Sequence, residues 1–184
     1  MARKALHIAG KIIAPGTDAR INIETTQLYT NNPVHMPLRV FHGKEDGPTL
    51  LVCAAIHGDE LTGIEAARRL IKDERMKTIK GTLIVVPIVN HLGFIHRSRY
   101  LPDRRDLNRF FPGDETGSLA SRIAHKFMTE VVEHATHIVD LHTAGMHRTN
   151  FPQIRTNIAD EENLAMAKAF GLPMVLNSEL IEGS

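Results

Sequence analysis

His57, Gly58, Asp59 and Glu60 follow one apolar run, 49–56, and His142 follows another, 136–141. An H-x-x-E pair with a distant third histidine supplies two neutral imidazoles and one carboxylate, a donor set that holds a tetrahedral zinc ion with one position left open for water. Water at such a position ionises near neutral pH, so His57, Glu60 and His142 are candidate ligands for one Zn²⁺ per chain in a hydrolytic site. On a plainer reading, Gly58-Asp59-Glu60 caps a following helix and each histidine is a polar strand end. Asp59 is an alternative donor, but its short side chain beside Gly58 is better suited to capping the helix. By the two-residue strand period Asp140 points to the same side as His142, where it can accept a hydrogen bond from a ligand imidazole.

These residues need elements that bring them together. The run 49–56 shows no alternation, as expected of a strand buried on both faces of a parallel sheet. Helical spacing over 61–72 (Leu61, Ile64, Ala67, Leu70, Ile71) ends in Arg68, Arg69 and Lys72, where cations suit the helix dipole. A second buried run, 82–89, completes a strand–helix–strand crossover. A helix over 119–133, striped by Ile123, Phe127 and Val131, leads to the third run, 136–141. Upstream, 20–24 and 38–41 alternate between turn signals and read as short strands of a meander or edge. Downstream lie a polar loop, 142–156, a helix over 160–170 stopped by Gly171, and a strand at 173–176. The pattern predicts an α/β fold with a mixed, largely parallel sheet flanked by helices, and both histidines fall at carboxyl ends of strands, where such sheets bind ligands.

With 184 residues, 42% of them hydrophobic, the chain matches one domain with a sizeable core. Lys+Arg of 22 against Asp+Glu of 21 gives a net charge of +1, which excludes a global field for nucleic acid or an acidic membrane surface. No window reaches the roughly 20 apolar residues of a membrane helix, and no signal peptide opens the chain. The single cysteine, Cys53, excludes an internal disulfide, suits a reducing cytoplasm, and reads as a small buried apolar side chain. His35, His42, His91, His96, His125 and His134 are scattered and read as ordinary surface or core residues. Neither a G-x-G-x-x-G after a strand nor a P-loop lysine is present, which leaves a nucleotide site without support. Oligomeric state has no sequence signature here.

The long connection 90–117 carries Arg97, Arg99, Arg104, Arg105 and Arg109, a guanidinium cluster suited to bidentate recognition of a substrate carboxylate. A solvated loop with ion pairs to Asp103 and Asp106 is the alternative, though Phe110 and Phe111 should pin the segment to the core. His57-Gly58-Asp59-Glu60, Asp106-Leu107-Asn108-Arg109-Phe110-Phe111-Pro112-Gly113 and Asp140-Leu141-His142-Thr143, in that order, together resemble the succinylglutamate desuccinylase/aspartoacylase family, relatives of the zinc carboxypeptidases. The resemblance implies a zinc carboxypeptidase-like fold and hydrolysis of the amide bond of a small N-acyl amino acid. By position, His57, Glu60 and His142 correspond to the zinc ligands, and Asn108 and Arg109 to the binders of the substrate carboxylate. Arg99 is similar to the arginine that polarises the scissile carbonyl, although its spacing to Asp106 is not uniform in the family.

The family's general base is a glutamate on a later strand, and neither Glu179 nor Glu182 stands in that setting. The resemblance therefore implies that 1–184 is the N-terminal portion of a catalytic domain, whose later part and C-terminal domain are missing. Such a piece should be weakly active or inactive alone, since general-base assistance is worth roughly 10²–10⁴-fold. Two rivals stand beside this reading: a peptidase that trims a terminal residue, and a non-enzymatic metal-binding or substrate-sensing module if the natural chain ends at Ser184.

Overall fold

The structure, a computed structural model, describes residues 3–146 and 148–178. Its centre is a five-stranded mixed sheet in the order β3-β4-β6-β5-β7. The strands are β3 (Thr17–Gln27), β4 (Pro33–His42), β5 (Thr49–Ala54), β6 (Thr82–Val86) and β7 (His137–Leu141). β5 pairs in parallel with both β6 and β7, whereas β4 pairs antiparallel with β6 and with β3. The 20–24 and 38–41 stretches are thus the middles of one long hairpin, in which Ile21 and Ile23 face Met36 and Leu38 across the ladder. A small hairpin, β1 (Leu6–Ile8) and β2 (Lys11–Ile13), precedes it. Its turn takes positive φ at Ala9 and Gly10, a geometry that Asn-Gly or Gly-Gly announces and alanine conceals.

The uninterrupted apolar runs follow from burial on both faces. Leu51, Cys53, Ile84 and Val86 face one side with Ile123, Ala124 and Phe127 of α3 (Leu119–Glu130). Val52, Leu83 and Val85 face the other with Ala67 of α1 (Leu61–Lys72). In the order β6-β5-β7, the crossover from β5 to β6 runs one way and that from β6 to β7 runs back. Right-handed crossovers then place α1 and α3 on opposite faces, and the connections after β5 and β6 meet over the carboxyl edge.

α1 lies close on the sheet because Gly63 is buried against it; a Cβ there would sit 3.0 Å from both the Cβ and the carbonyl oxygen of Leu141. Leu61, counted in the apolar stripe, is exposed instead. Asn90 caps the short helix α2 (His91–Ile95), accepting from the Gly93 amide. Beyond β7 come β8 (Ile154–Thr156), α4 (Glu161–Phe170, closed by left-handed Gly171) and β9 (Val175–Asn177). β8 and β9 form a separate parallel pair within what reads from sequence as loop and strand. Among the described residues no helix is long and apolar enough to cross a membrane.

Candidate metal centre

The apolar run 49–56 leaves the sheet earlier than its composition suggests. β5 ends at Ala54, and Ala55 takes φ 54°, so the chain turns sharply before His57. The turned segment then presses on α2: a Cβ on Gly58 would lie 2.0 Å from the carbonyl carbon of Gly93 and 2.2 Å from the nitrogen of Phe94. Glu60 follows as the residue that opens α1, with no side-chain cap bond of its own. Its carboxylate is thereby free to turn toward the sheet edge. Asp59, expected to cap α1, does not; its Oδ2 instead accepts from the Met146 amide at 3.1 Å, and Gly145 packs against it. The loop after β7 thus sits closer to the helix entry than a cap would allow, and Asp59 is spent on holding it.

His57, Glu60 and His142 come together. A nitrogen from each imidazole and a carboxylate oxygen all lie within 4.8 Å of one another. His57 Nδ1 is 2.7 Å from Glu60 Oε1, and His142 Nδ1 is 3.0 Å from Glu60 Oε2, which also accepts from the Thr143 amide at 2.7 Å. The two rings meet edge to face with centroids 5.0 Å apart. The neighbouring places of β5 and β7 in the sheet explain the approach: Cys53 is registered with Asp140 and Ala54 with Leu141, so the two strands end at the same level and the turn at Ala55 brings His57 back beside His142.

Each imidazole is gripped from behind at Nε2. Asp140 Oδ2 lies 2.6 Å from His142 Nε2, in the place the strand period assigns it. Asp106 Oδ1 lies 3.1 Å from His57 Nε2, a contact the sequence did not reveal because it joins residues on different connections. With both Nε2 atoms on carboxylates, both Nδ1 atoms are left to face Glu60. A tetrahedral zinc with bonds of about 2.0–2.1 Å sets its donors about 3.3 Å apart, so the observed 2.7 and 3.0 Å need open by only a few tenths of an ångström. The donor set, its spacing and the carboxylates behind the imidazoles fit zinc.

The electrostatics agree with a site built for a cation. His57 and Glu60 are 3% and 2% exposed. Burial opposes ionisation of Glu60, yet hydrogen bonds from His142, His57 and the Thr143 amide outweigh it and hold the carboxyl well below the usual range. Burial likewise opposes the His142 imidazolium, but Asp140 and Glu60 prevail and push its pKa up to about 10. Cys53 stays a buried thiol: burial and the nearby Asp140 carboxylate push its pKa up, and its Sγ lies 3.5 Å from Asp140 Oδ1.

The arginine cluster divides. Arg99 donates through Nε and Nη2 to Asp106 Oδ2 at 3.1 and 2.9 Å, while its Nη1 lies 3.4 Å from His57 Nδ1 and 3.7 Å from Glu60 Oε1. It stands at the cluster. Asn108 and Arg109 sit on a single 3-10 turn, Leu107–Arg109, whose first residue is buried and which Asp106 caps by accepting from the Asn108 amide at 3.0 Å. Arg109 is exposed. Arg105 spans Asp103 and the ring of Phe110, and so belongs to the loop rather than the site. Phe110 and Phe111 pack on the core, Phe111 edge to face with Phe127, so the segment is pinned as its aromatic pair predicts. Glu179 and Glu182 lie outside the described residues.

Residues 46–184 match the succinylglutamate desuccinylase/aspartoacylase catalytic domain. The N-alpha-acetyl-L-2,4-diaminobutyric acid deacetylase of Halomonas elongata is 34% identical over 137 residues, which is 71% of this chain and 40% of that protein. The crystal structure of a succinylglutamate desuccinylase/aspartoacylase from Rhodobacter sphaeroides superposes with a TM-score of 0.81 at 28% identity, covering 96% of this chain and 52% of the other. A metallo-carboxypeptidase from Burkholderia cenocepacia shares the fold alone, with a TM-score of 0.67 at 15% identity over 89% of this chain and 50% of its own. The chain spans about half the length of these solved relatives. It belongs to the succinylglutamate desuccinylase/aspartoacylase family and has the zinc carboxypeptidase-like fold.

Proposed function

We propose that this chain forms the zinc-holding part of a deacylase that hydrolyses the amide bond of an N-acyl amino acid. The observation that carries the reading is the convergence of His57, Glu60 and His142, each imidazole backed at Nε2 by a carboxylate. When bound, zinc supplies Lewis acidity and a water acidified to near neutral pH. The residues of the chain do the rest. His57 and His142 would each offer Nδ1 to the metal, His142 giving up its proton on binding, Glu60 supplies the negative charge, and Asp106 and Asp140 fix the ring orientations. Arg99, whose Nη1 lies beside His57 and Glu60, stabilises the oxyanion that develops as the acyl carbonyl is attacked. Asn108 and the exposed guanidinium of Arg109 take the carboxylate of the amino acid. Water adds across the amide, so a carboxylic acid and a free amino acid leave.

Each carboxylate that the described residues bring to the cluster is already bonded to an imidazole: Glu60, Asp106 and Asp140. We therefore place the general base outside the described residues, with the expectation that the chain alone binds metal better than it turns over substrate. The family relative from Halomonas elongata, named as a deacetylase, supports an N-acyl amino acid over a peptide as substrate. Zinc stoichiometry of the purified chain tests the reading together with hydrolysis of a panel of N-acyl amino acids and dipeptides. One zinc per chain, lost in His142→Ala, is expected; unchanged zinc content in that variant overturns the ligand assignment, and faster cleavage of dipeptides overturns the substrate class.

A further inference from the structure

We infer that Asp106 is a positioning residue that couples the metal ligand His57 to Arg99 and to the turn carrying Asn108 and Arg109, so that metal site and substrate site form as one unit. The inference rests on the zinc reading above and goes beyond it. Both oxygens of Asp106 are committed. Oδ1 lies 3.1 Å from His57 Nε2 and accepts from the Asn108 amide at 3.0 Å, while Oδ2 accepts two bonds from the Arg99 guanidinium. One carboxylate therefore joins the segment after β5, the connection after β6 and the start of the 3-10 turn. Asp140 offers the contrast: its Oδ2 meets His142 Nε2, and its Oδ1 meets, among the described residues, the Cys53 thiol at 3.5 Å.

The two carboxylates hold equivalent positions behind the two imidazoles, but only Asp106 also carries substrate machinery. Two bonds from Nε and Nη2 to the one oxygen Oδ2 fix the plane of the guanidinium as well as its place. Rotating Asp106 to release His57 would break the bonds to Arg99 and the cap on Asn108 together. The arrangement makes substrate-site order depend on the same side chain that sets the orientation of a ligand.

The test compares Asp106→Asn with Asp140→Asn in the full chain, using two measurements that need no turnover. Zinc affinity is measured by competition with a chromophoric chelator, and the rate at which phenylglyoxal modifies Arg99 is read by peptide mass spectrometry on zinc-saturated protein. Both variants should lose about 10–100-fold in zinc affinity, the usual effect of removing a carboxylate behind a ligand histidine. Only Asp106→Asn should also raise the Arg99 modification rate, on the order of three-fold or more, because the charged oxygen that accepts from both Nε and Nη2 is gone. Asn and Ser both cap helical turns, so Asp106→Ser replaces the Asn variant if that one melts early. An Asp106 variant that moves only one measurement overturns the coupling, as does an Asp140 variant that moves both. Failure of the wild-type chain to bind zinc overturns the proposed function instead, and is visible before any variant is made.

Discussion

Gly58→Ala tests whether the position of His57 is set by backbone contact. A Cβ at Gly58 would meet the Gly93 carbonyl carbon at 2.0 Å, the Phe94 nitrogen at 2.2 Å and the Gly93 oxygen at 2.5 Å, against 3.4 Å for ordinary contact, so the two segments must part by about 1.4 Å. All three obstacles are backbone, and no rotamer change relieves them. Gly58 has no positive φ, so the cost is steric alone. Overpacking typically costs 1–3 kcal/mol, and with no side chain able to yield we expect about 3 kcal/mol. For a chain of this size that is a fall of about 6–12 °C in melting temperature. The displaced segment carries His57, so zinc affinity falls as well. Gly10→Ala is the control: it has φ 69° and nothing within 4 Å of the added Cβ, so it pays only a left-handed backbone penalty of about 1–2 kcal/mol and leaves zinc binding alone. Thermal unfolding by circular dichroism, with and without zinc, measures both. A Gly58→Ala protein that melts within 2 °C of wild type, by about the smallest shift expected from 1 kcal/mol, refutes the contact and the positioning argument built on it.

Arg3 has a side chain only 9% exposed, and its Nη1 donates to the carbonyls of Gly43, Glu45 and Gly81 while Nη2 reaches Thr82 Oγ1. Arg3→Ala should cost about 2–4 kcal/mol, as charge-assisted bonds to three backbone carbonyls are lost together, and should shift the urea midpoint without changing the slope. The pH dependence of the metal-free chain should follow His142, whose pKa rises from 6.5 to about 10 on folding. A raised pKa gives stabilisation that is complete below pH 6.5 and lost as the pH climbs to 10, so the melting temperature of chelator-treated protein should fall across that window and stay flat in His142→Gln. Zinc binding needs the neutral ring, so affinity should rise over the same window; a pH-independent affinity speaks against His142 as ligand. Arg109→Ala should raise KM for N-acyl amino acids with little change in zinc content, which isolates carboxylate binding from the metal.

What the sequence made legible depends on how local the cause is. The strands β5, β6 and β7 stood out because burial on two faces writes a continuous apolar run, and α1 and α3 because a buried stripe recurs at helical spacing. Asp140 was found through a two-residue period within one strand. The edge hairpin β3–β4 was underestimated: its middle alternates clearly, but its ends, rich in Thr, Asp and His, are held by ladder partners rather than by their own composition. Local sequence suits Asp59 to a helix cap, but a long-range bond from the Met146 amide takes its carboxylate instead. Asp106 shows the limit most clearly, since its part in the site depends on His57, 49 residues away, and neither residue type nor spacing marks that partnership.

The contrast between Asp140 and Asp106 also explains why the site can tolerate an irregular connection of such length. β7 sets His142 beside the end of β5 by sheet register, a rigid constraint. The connection after β6 has no such ladder, and Arg97 and Arg104 within it both take positive φ. It is fixed instead in two ways: by packing, with Leu101 and Leu107 in the core and Phe110 and Phe111 against it, and by Asp106 against His57. Packing supplies the first anchor whether or not metal is present, while the second depends on the orientation of a ligand ring. Zinc bound to His57 would hold that ring from its other nitrogen and so tighten the segment bearing Arg99, Asn108 and Arg109. Amide exchange over 97–109 should therefore slow on zinc addition in wild type and far less in Asp106→Asn, whereas equal slowing in both would show that packing alone orders the loop.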